Sequence, residues 1–428
     1  MLKRTLFWVA SGTALLALTT ASLELSSSFL VPSWPARELR PVFASPGDEI
    51  KTLTPTQRLN LTYNSWGLRD RERSWQKLPG SRFRSVVVGD SFVEGAFVEP
   101  PLTKRIEERW TEAGRQDMEA INLGISATGP PDYYYRLKNV GLALHPDAVL
   151  LLFFSGNDFV AERLSEWRVP PLIDERPRPS ILGGVAPRLT WLLVNRLGLS
   201  QLNRGNKLIA DEFQTLNDAI KLPATERIEF FVRHLHKYYY PDLKPATLRE
   251  ILSRADDSFW KAFENRSEEP EFLAGWILNN MVWSETSTWQ APHDLAEADR
   301  QIDPSEIDAT MSWLVGANSL VRSAGANFLV AVAPVAGAVD PHYREFWKQW
   351  PRYSSWNLRQ EAAHHRLVAA LHEYGMPTVD LEEDLRGTNG AYRVSDSHWT
   401  ELGTAIAARR LAAALEKVRE EGNRSKAR

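Results

Sequence analysis

The stretch DAVLLLFFSGND, Asp147 to Asp158, carries seven consecutive apolar residues from Ala148 to Phe154. A strand with one wet face alternates apolar and polar side chains, whereas a strand apolar throughout has to be covered on both faces. Cover on both faces means helices above and below, which is the arrangement of a parallel α/β sheet. The flanking sequence supplies those elements in order. RSVVVGDS reads as a strand, PLTKRIEERWTEAG as an amphipathic helix ending at Gly114, MEAINLGIS as a second strand and PPDYYYRLKNVGLAL as a helix. Much later the alternation resumes, with NFLVAVAP a strand, WNLRQEAAHHRLVAALHEYG a helix, PTVDL a short strand and TELGTAIAARRLAAALEKVREEG a long last helix.

Between Phe159 and Ala326 the alternation is lost. RLTWLLVNRLGL, ATERIEFFVRHLHKYYY and SEIDATMSWLVGANSLVRSAG read as helices and RVPPLIDERPRPS as a loop. The last of these helices crosses back to the strand at Asn327. Residues 161–326 are therefore expected to form a helical insertion at the carboxyl edge of the sheet, as a lid, a substrate platform or a structural cap. It separates a first core half, residues 81–160, from a second, residues 327–420, and residues 421–428 are expected to be a frayed tail.

The amino terminus reads as an address. Lys3 and Arg4 precede an uncharged apolar run from Leu6 to Leu23, long enough to cross a bilayer as a helix. Basic residues on that side keep the terminus cytosolic and send the rest outward. Residues 1–30 are a retained signal anchor or a cleaved signal peptide. Thr19-Thr20-Ala21 is a poor cleavage site, which favours the anchor. Residues 31–80, rich in Pro and Ser, read as a linker and docking segment. The expected location is the periplasmic face of the inner membrane, or the exterior if the segment is removed.

With 51 Lys plus Arg against 54 Asp plus Glu, the formal charge of −3 gives no reason to expect nucleic acid as a partner. The absence of cysteine excludes disulfides, thiolate metal sites and a cysteine nucleophile. No glycine-rich phosphate loop is present, and no cofactor is expected.

In an open parallel sheet the active crevice lies beyond the carboxyl ends of the strands. Three strands end there in small polar residues: Gly89-Asp90-Ser91, Asn122-Leu123-Gly124 and Ser155-Gly156-Asn157-Asp158. Any one of these alone is most simply a turn or a helix cap. The segment VSDSHWT adds Asp396 and His398 just before the last helix, and together they make a serine hydrolase set. Ser91 would be the nucleophile, His398 its base, and Asp396 the carboxylate fixing the tautomer. The backbone N–H groups of Ser91 and Gly124 and the side-chain amide of Asn157 would hold the oxyanion. Gly124 is read as glycine so that no side chain blocks the substrate oxygen.

These residues resemble the SGNH (GDSL-like) hydrolase family. Ser91 in GDSFVEG matches its first block, Gly124 in NLGISATG the second, Asn157 in SGNDF the third and His398 in DSHW the last. NSWGLRD, Asn64 to Asp70, is similar to a segment preceding the first block in a membrane-anchored branch. The resemblance implies a three-layer, flavodoxin-like parallel-sheet core over about 64–160 and 327–418, and leaves the insertion uncovered. Much of the family places its Asp three residues before the His, but Asp396 is two before His398. That shorter Asp-x-His-Trp spacing resembles SGNH-like proteins that O-acetylate alginate and related envelope polysaccharides. Asp380 and Asp384 remain alternative orienting carboxylates.

Of the remaining histidines, His234 and His236 have the wrong spacing for one helix face. His365 and His372 share one, yet no acidic partner completes a ligand set, and no metal is expected. Asp90 and Asp158 are read as helix caps, and Tyr133 to Tyr135 as core. Three functions follow: an esterase removing acyl groups, acetyl foremost, from an envelope glycan or lipid; an O-acyltransferase passing an acyl group from a membrane donor protein to a polysaccharide; and a non-catalytic glycan-binding or assembly protein on the same scaffold.

Overall fold

The computed structural model describes residues 2–30, 64–77 apart from 65 and 67, 83–164 apart from 96, 185–195, 216–266 apart from 217, 274–286 and 290–426. The loop expected over 168–180 and most of the linker lie outside these residues.

Five strands, β1 (Phe83–Gly89), β2 (Met118–Gly124), β3 (Ala148–Phe154), β4 (Asn327–Ala333) and β5 (Thr378–Asp380), form one sheet in the order β2-β1-β3-β4-β5. All neighbouring pairs are parallel. This is the flavodoxin-like order, whose direction reverses between β1 and β3, so the ligand crevice is expected at their carboxyl ends. Alternate side chains of each strand feed two cores. Val87, Ala120, Leu150 and Leu329 pack toward Ile106, Trp110, Leu411 and Leu415. Val86, Ile121, Leu151 and Val330 pack toward Tyr133, Leu314 and Leu367. Helices Leu102–Glu112 and Glu401–Lys426 cover the first face, and Pro130–Arg136, Pro304–Ser323 and Pro351–Glu373 the second.

The insertion is continuous with the first of these cores. Phe231, Leu248, Phe259, Phe263, Ile277 and Met281 belong to the same buried cluster as Phe346, Trp347 and Trp350. Two short helices, Ala336–Val339 and Pro341–Trp347, follow β4 where the sequence reading placed none, and the next helix starts at Pro351 rather than Trp356. Pro at the first turn of two of these helices fixes their starts. The tail does not fray at 421, because the last helix continues through Lys426.

The described part of the docking segment, 64–77, is built into the sheet. It covers the outer edge of β2 with side chains: Asp70 Oδ2 accepts from Asn122 N (2.9 Å), and Arg73 Nη2 donates to Ala120 O (2.7 Å). An edge strand whose N–H and C=O groups are occupied this way cannot template pairing with another chain. At the opposite end of the strands the buried Arg84 donates to Glu119 Oε1 (2.7 Å) and to the carbonyls of Trp75, Leu144, Ser74 and Gln76. Near the amino terminus, the helix Leu2–Ser27 is apolar and long enough over Phe7–Ser27 to cross a membrane, with mean hydropathy 1.2 and its large apolar side chains exposed. Both carboxylate oxygens of Glu24 accept from the backbone N–H groups of Arg188 and Leu189, at the start of the insertion helix Pro187–Asn195.

Removing one partner of a buried ion pair leaves the other unpaid in a dry environment. Arg84→Ala should cost about 3–5 kcal/mol of stability, seen as a drop in the urea midpoint. A loss under about 1 kcal/mol would mean that Glu119 and the four carbonyls do not depend on it.

Candidate active site

Ser91 sits at the carboxyl end of β1, at the point where strand order reverses. The helix it opens, Ser91–Glu94, is capped by Asp90, whose Oδ1 accepts from Phe92 N (3.0 Å). Asp90 thus performs the capping, and the Ser91 hydroxyl is directed elsewhere. Its Oγ lies 2.7 Å from His398 Nε2 across 307 residues of sequence. This is the distance at which an imidazole takes up a hydroxyl proton.

Asp396 is the carboxylate beside that ring. Its Oδ1 accepts from the His398 backbone N–H (3.1 Å), and its Oδ2 lies 3.2 Å from Nδ1. The ring N–H is not aligned on Oδ2, and neither atom has another hydrogen-bond partner among the described residues. The two atoms face each other at short range without an aligned hydrogen bond; such bonds commonly align only with substrate present. Ser397, between the two, has φ +58°, in the left-handed region. That turn brings a carboxylate onto the imidazole two positions away, which accounts for the short spacing. The other two candidates are engaged elsewhere, Asp380 with His364 Nε2 (3.0 Å) and Asp384 with Arg410 (3.3 Å).

The segment bearing His398 is held from several sides. Arg393 N donates to His398 O (2.7 Å), and Tyr392 pairs with Trp399 in an antiparallel bridge. Trp347 Nε1 donates to Val394 O (2.8 Å) and Asn280 Nδ2, from the insertion, to Ser395 O (3.0 Å).

Of the three expected oxyanion donors, the Gly124 N–H is engaged within the fold. Asn157 follows β3 with its side chain exposed toward solvent. Gly124 is aligned with Gly89 in the β1–β2 register. Its N–H, however, donates to Asn122 Oδ1 (2.8 Å) and is committed there. The reason for glycine also changes: a Cβ at this position would lie 2.1 Å from Glu94 N and 2.6 Å from Val93 C. The space is taken by the backbone of the helix after Ser91, so glycine serves close packing of that turn on β2 and not substrate access.

Three residues that motif reading passed over hold this seam. Asn122 Nδ2 donates to Val93 O (2.9 Å) and Arg69 O (3.0 Å). Glu94 Oε2 accepts from Ser126 N (2.7 Å), and Arg136 Nη1 donates to Gly89 O (3.1 Å) and Leu123 O (2.8 Å). Asn122 and Glu94 lie inside the motif blocks, and a buried polar residue at a strand end was the available signal.

Behind Ser91 lie two buried carboxyls. Asp158 caps no helix. Its Oδ2 accepts from Phe154 N (2.8 Å) and meets Tyr133 Oη (3.0 Å). Burial first, then the charge of Asp90, push the Asp158 carboxyl well above the ordinary carboxylate range, and burial raises Asp90 too. Tyr133 is buried, and Tyr134 and Tyr135 pack edge-on to Trp313, so the tyrosine run is core. The histidine reading needs amending. Glu361, His365 and Glu382 form one group able to hold a metal ion, and His364, Asp380 and Glu382 another. Glu361 lies one helical turn before His365, and the other carboxylates arrive from the end of β5. His364 Nδ1 also meets Ser155 Oγ (2.7 Å), which makes a Ser155–His364–Asp380 chain behind the Asn157 turn, with Ser155 and His364 buried and Asp380 half-buried.

A carboxyl whose pKa is raised by folding binds its proton more tightly in the folded state. Its stabilising contribution is full below the unfolded value of about 3.9 and is lost as pH rises toward the folded value. Asp158→Asn keeps a neutral group of the same shape. It should flatten the decline in melting temperature as pH rises above about 4; an unchanged decline would exclude Asp158 as its source.

Residues 294–428 match the family described as "SGNH hydrolase-like domain, acetyltransferase AlgX". No curated protein matches the chain. Among solved structures, an acetyl xylan esterase is 10% identical with a TM-score of 0.34, covering 78% of this chain and 99% of its own. A GDSL-like lipase from Bacteroides thetaiotaomicron is 10% identical with a TM-score of 0.32 over 80% of this chain and 91% of its own. A lipase/acylhydrolase from Enterococcus faecalis is 10% identical with a TM-score of 0.33 over 78% and 96%. Over residues 294–428, then, the chain is similar to the SGNH hydrolase-like domain of the acetyltransferase AlgX family.

Proposed function

We propose that this protein is a serine enzyme acting on acyl esters, acetyl foremost, of an envelope glycan or lipid, and that it works through an acyl-Ser91 intermediate. The observation that carries this reading is the 2.7 Å contact between Ser91 Oγ and His398 Nε2. Ser91 Oγ attacks the ester carbonyl and its proton passes to His398 Nε2. The imidazolium, stabilised by Asp396, returns that proton to the departing alcohol oxygen. Water then attacks the acyl-serine, gives its proton to His398, and releases the acid as Ser91 recovers its proton. The oxyanion is held by the Ser91 backbone N–H and the Asn157 side chain, with Gly124 N–H already spent on Asn122.

The match of residues 294–428 to an acetyltransferase family supports a second reading. There a sugar hydroxyl takes the place of water, and the acyl group arrives from a membrane donor protein. The apolar amino-terminal helix supports a protein anchored at the periplasmic face of the inner membrane.

A fluorophosphonate probe should label Ser91 in the folded wild-type protein, and Ser91→Ala should abolish labelling with the melting temperature held within a few degrees. His398→Ala should slow labelling by roughly 1,000-fold or more. A wild-type protein that is neither labelled nor active on aryl acetates would defeat the acyl-serine reading. Asn157→Ala should lower turnover of a good ester by roughly 100- to 1,000-fold without loss of stability; unaltered turnover would remove Asn157 from the site. Adding sugar acceptors during turnover separates the two readings: new sugar ester marks transfer, and free acid alone marks hydrolysis.

A further inference from the structure

The His398 ring is boxed by aromatic residues. Phe92 stacks on it at 5.1 Å, Phe97 lies at 4.5 Å and Trp276 at 6.4 Å, and Phe97 meets Trp276 edge-on at 5.5 Å. Phe92 is buried, whereas Phe97 and Trp276 are half-buried. Trp276 belongs to the insertion helix Ala274–Thr286, whose Ile277, Leu278, Met281 and Val282 face the core. Its outer face therefore carries Trp276, Asn280 and Trp283, at i, i+4 and i+7. Trp283 is 39% exposed and stands edge-on to Trp356 at 4.9 Å. Asn280 ties this face to the His398 segment through Ser395.

We infer that Phe97, Trp276 and Trp283, with Trp356, form a track that binds the alcohol side of the substrate as a chain of pyranose sugars. The inference rests on the acyl-serine reading for its direction. His398 has to protonate the oxygen of the departing alcohol, so whatever stands against the outer side of that ring touches the alcohol and not the acyl group. A pyranose offers an apolar C–H face that lies flat on an indole and a rim of hydroxyls that seeks polar neighbours. The helix supplies two aromatic stations, Trp276 half-buried and Trp283 exposed, and Asn280 between them holds the helix to Ser395 O. Seven residues at a rise of 1.5 Å separate Trp276 from Trp283 by about 10 Å along the axis, roughly two sugar rings. An acyl chain would need an enclosed apolar slot, whereas these stations are open on one side. The insertion is then the element that selects a polymer.

The test uses the full-length wild-type protein and the variants Trp276→Ala, Trp283→Ala and Trp283→Phe, with three acetyl esters: vinyl acetate, glucose pentaacetate and acetylated cellohexaose. Acetylated monoolein in vesicles serves as the lipid arm. Trp276→Ala should reduce selectivity for both sugar esters over vinyl acetate, as a ratio of kcat/KM, at least tenfold. Trp283→Ala should reduce the ratio at least tenfold for the hexaose ester alone, through KM, and Trp283→Phe should restore most of it. Equal losses on all esters would mean that these residues only support His398, and would overturn the track. So would a wild-type preference for vinyl acetate over both sugar esters, or losses confined to the monoolein ester. Failure of the acyl-serine reading is separate. There the wild-type protein is inert and Ser91 unlabelled, and the track is judged by cellohexaose binding to the wild-type chain in calorimetry. Binding weakened at least tenfold by Trp283→Ala upholds the track, and undetectable binding or equal binding overturns it.

Discussion

The contact on which the candidate site depends is the one between Gly124 and the backbone of Val93 and Glu94. At 2.1 Å from Glu94 N there is no room for a β-carbon, so the first turn after Ser91 rests directly on the end of β2. Interiors pack too tightly for such a contact to be approximate. Asn122 fastens the same seam by bonding to both sides, and Arg136 collects the carbonyls of Gly89 and Leu123. Ser91 is thus delivered to His398 by rigid backbone and not by an adjustable side chain. The Gly124 N–H is part of the same joint, since it donates to Asn122 Oδ1.

The layer behind Ser91 is unusual in holding acids rather than apolar side chains. Asp90 and Asp158 are both fully enclosed; burial makes each harder to ionise, and the charge of Asp90 adds to the effect on Asp158. Their cost in stability at neutral pH is offset by what they fix: Asp90 ends β1 and starts the next helix, and Asp158 ties the turn after β3 to Tyr133. The Ser155–His364–Asp380 chain braces the same turn from the far side of the sheet's edge.

Much of this was legible in the sequence because it is local or periodic. All five strands and the crossover helices follow from apolar runs, and Ser91, Asp396 and His398, singled out by a polar strand end and by the VSDSHWT segment before the last helix, lie together in the fold. What escaped was set by tertiary packing. NSWGLRD is legible as a block similar to one in a membrane-anchored branch, but not as the cover of an edge: Asp70 and Arg73 act on β2, which lies about fifty residues away in the chain. Gly124 looks like a donor until Asn122 is placed beside it. Glu361, His365 and Glu382 converge only because β5 ends against the helix that carries the histidines. The helices between β4 and Pro351 are too short for periodicity to show. That Trp276 stands beside His398 shows only when its helix is laid against the His398 segment.

The left-handed turn at Ser397 bears on how the chain assembles. A non-glycine residue in that region costs of order 1 kcal/mol or more, but it makes the carboxylate and the imidazole a three-residue unit needing no distant partner. Only one separation, 307 residues from Ser91 to His398, has to be closed to complete the set. Loop-closure entropy rises only with the logarithm of loop length. A long insertion between the two halves therefore adds little to the cost of bringing them together. A carboxylate on a third, remote strand would have required a second closure of that kind. With imidazole and carboxylate prefabricated on one loop, the intervening chain was free to lengthen into the helices that now stand beside them.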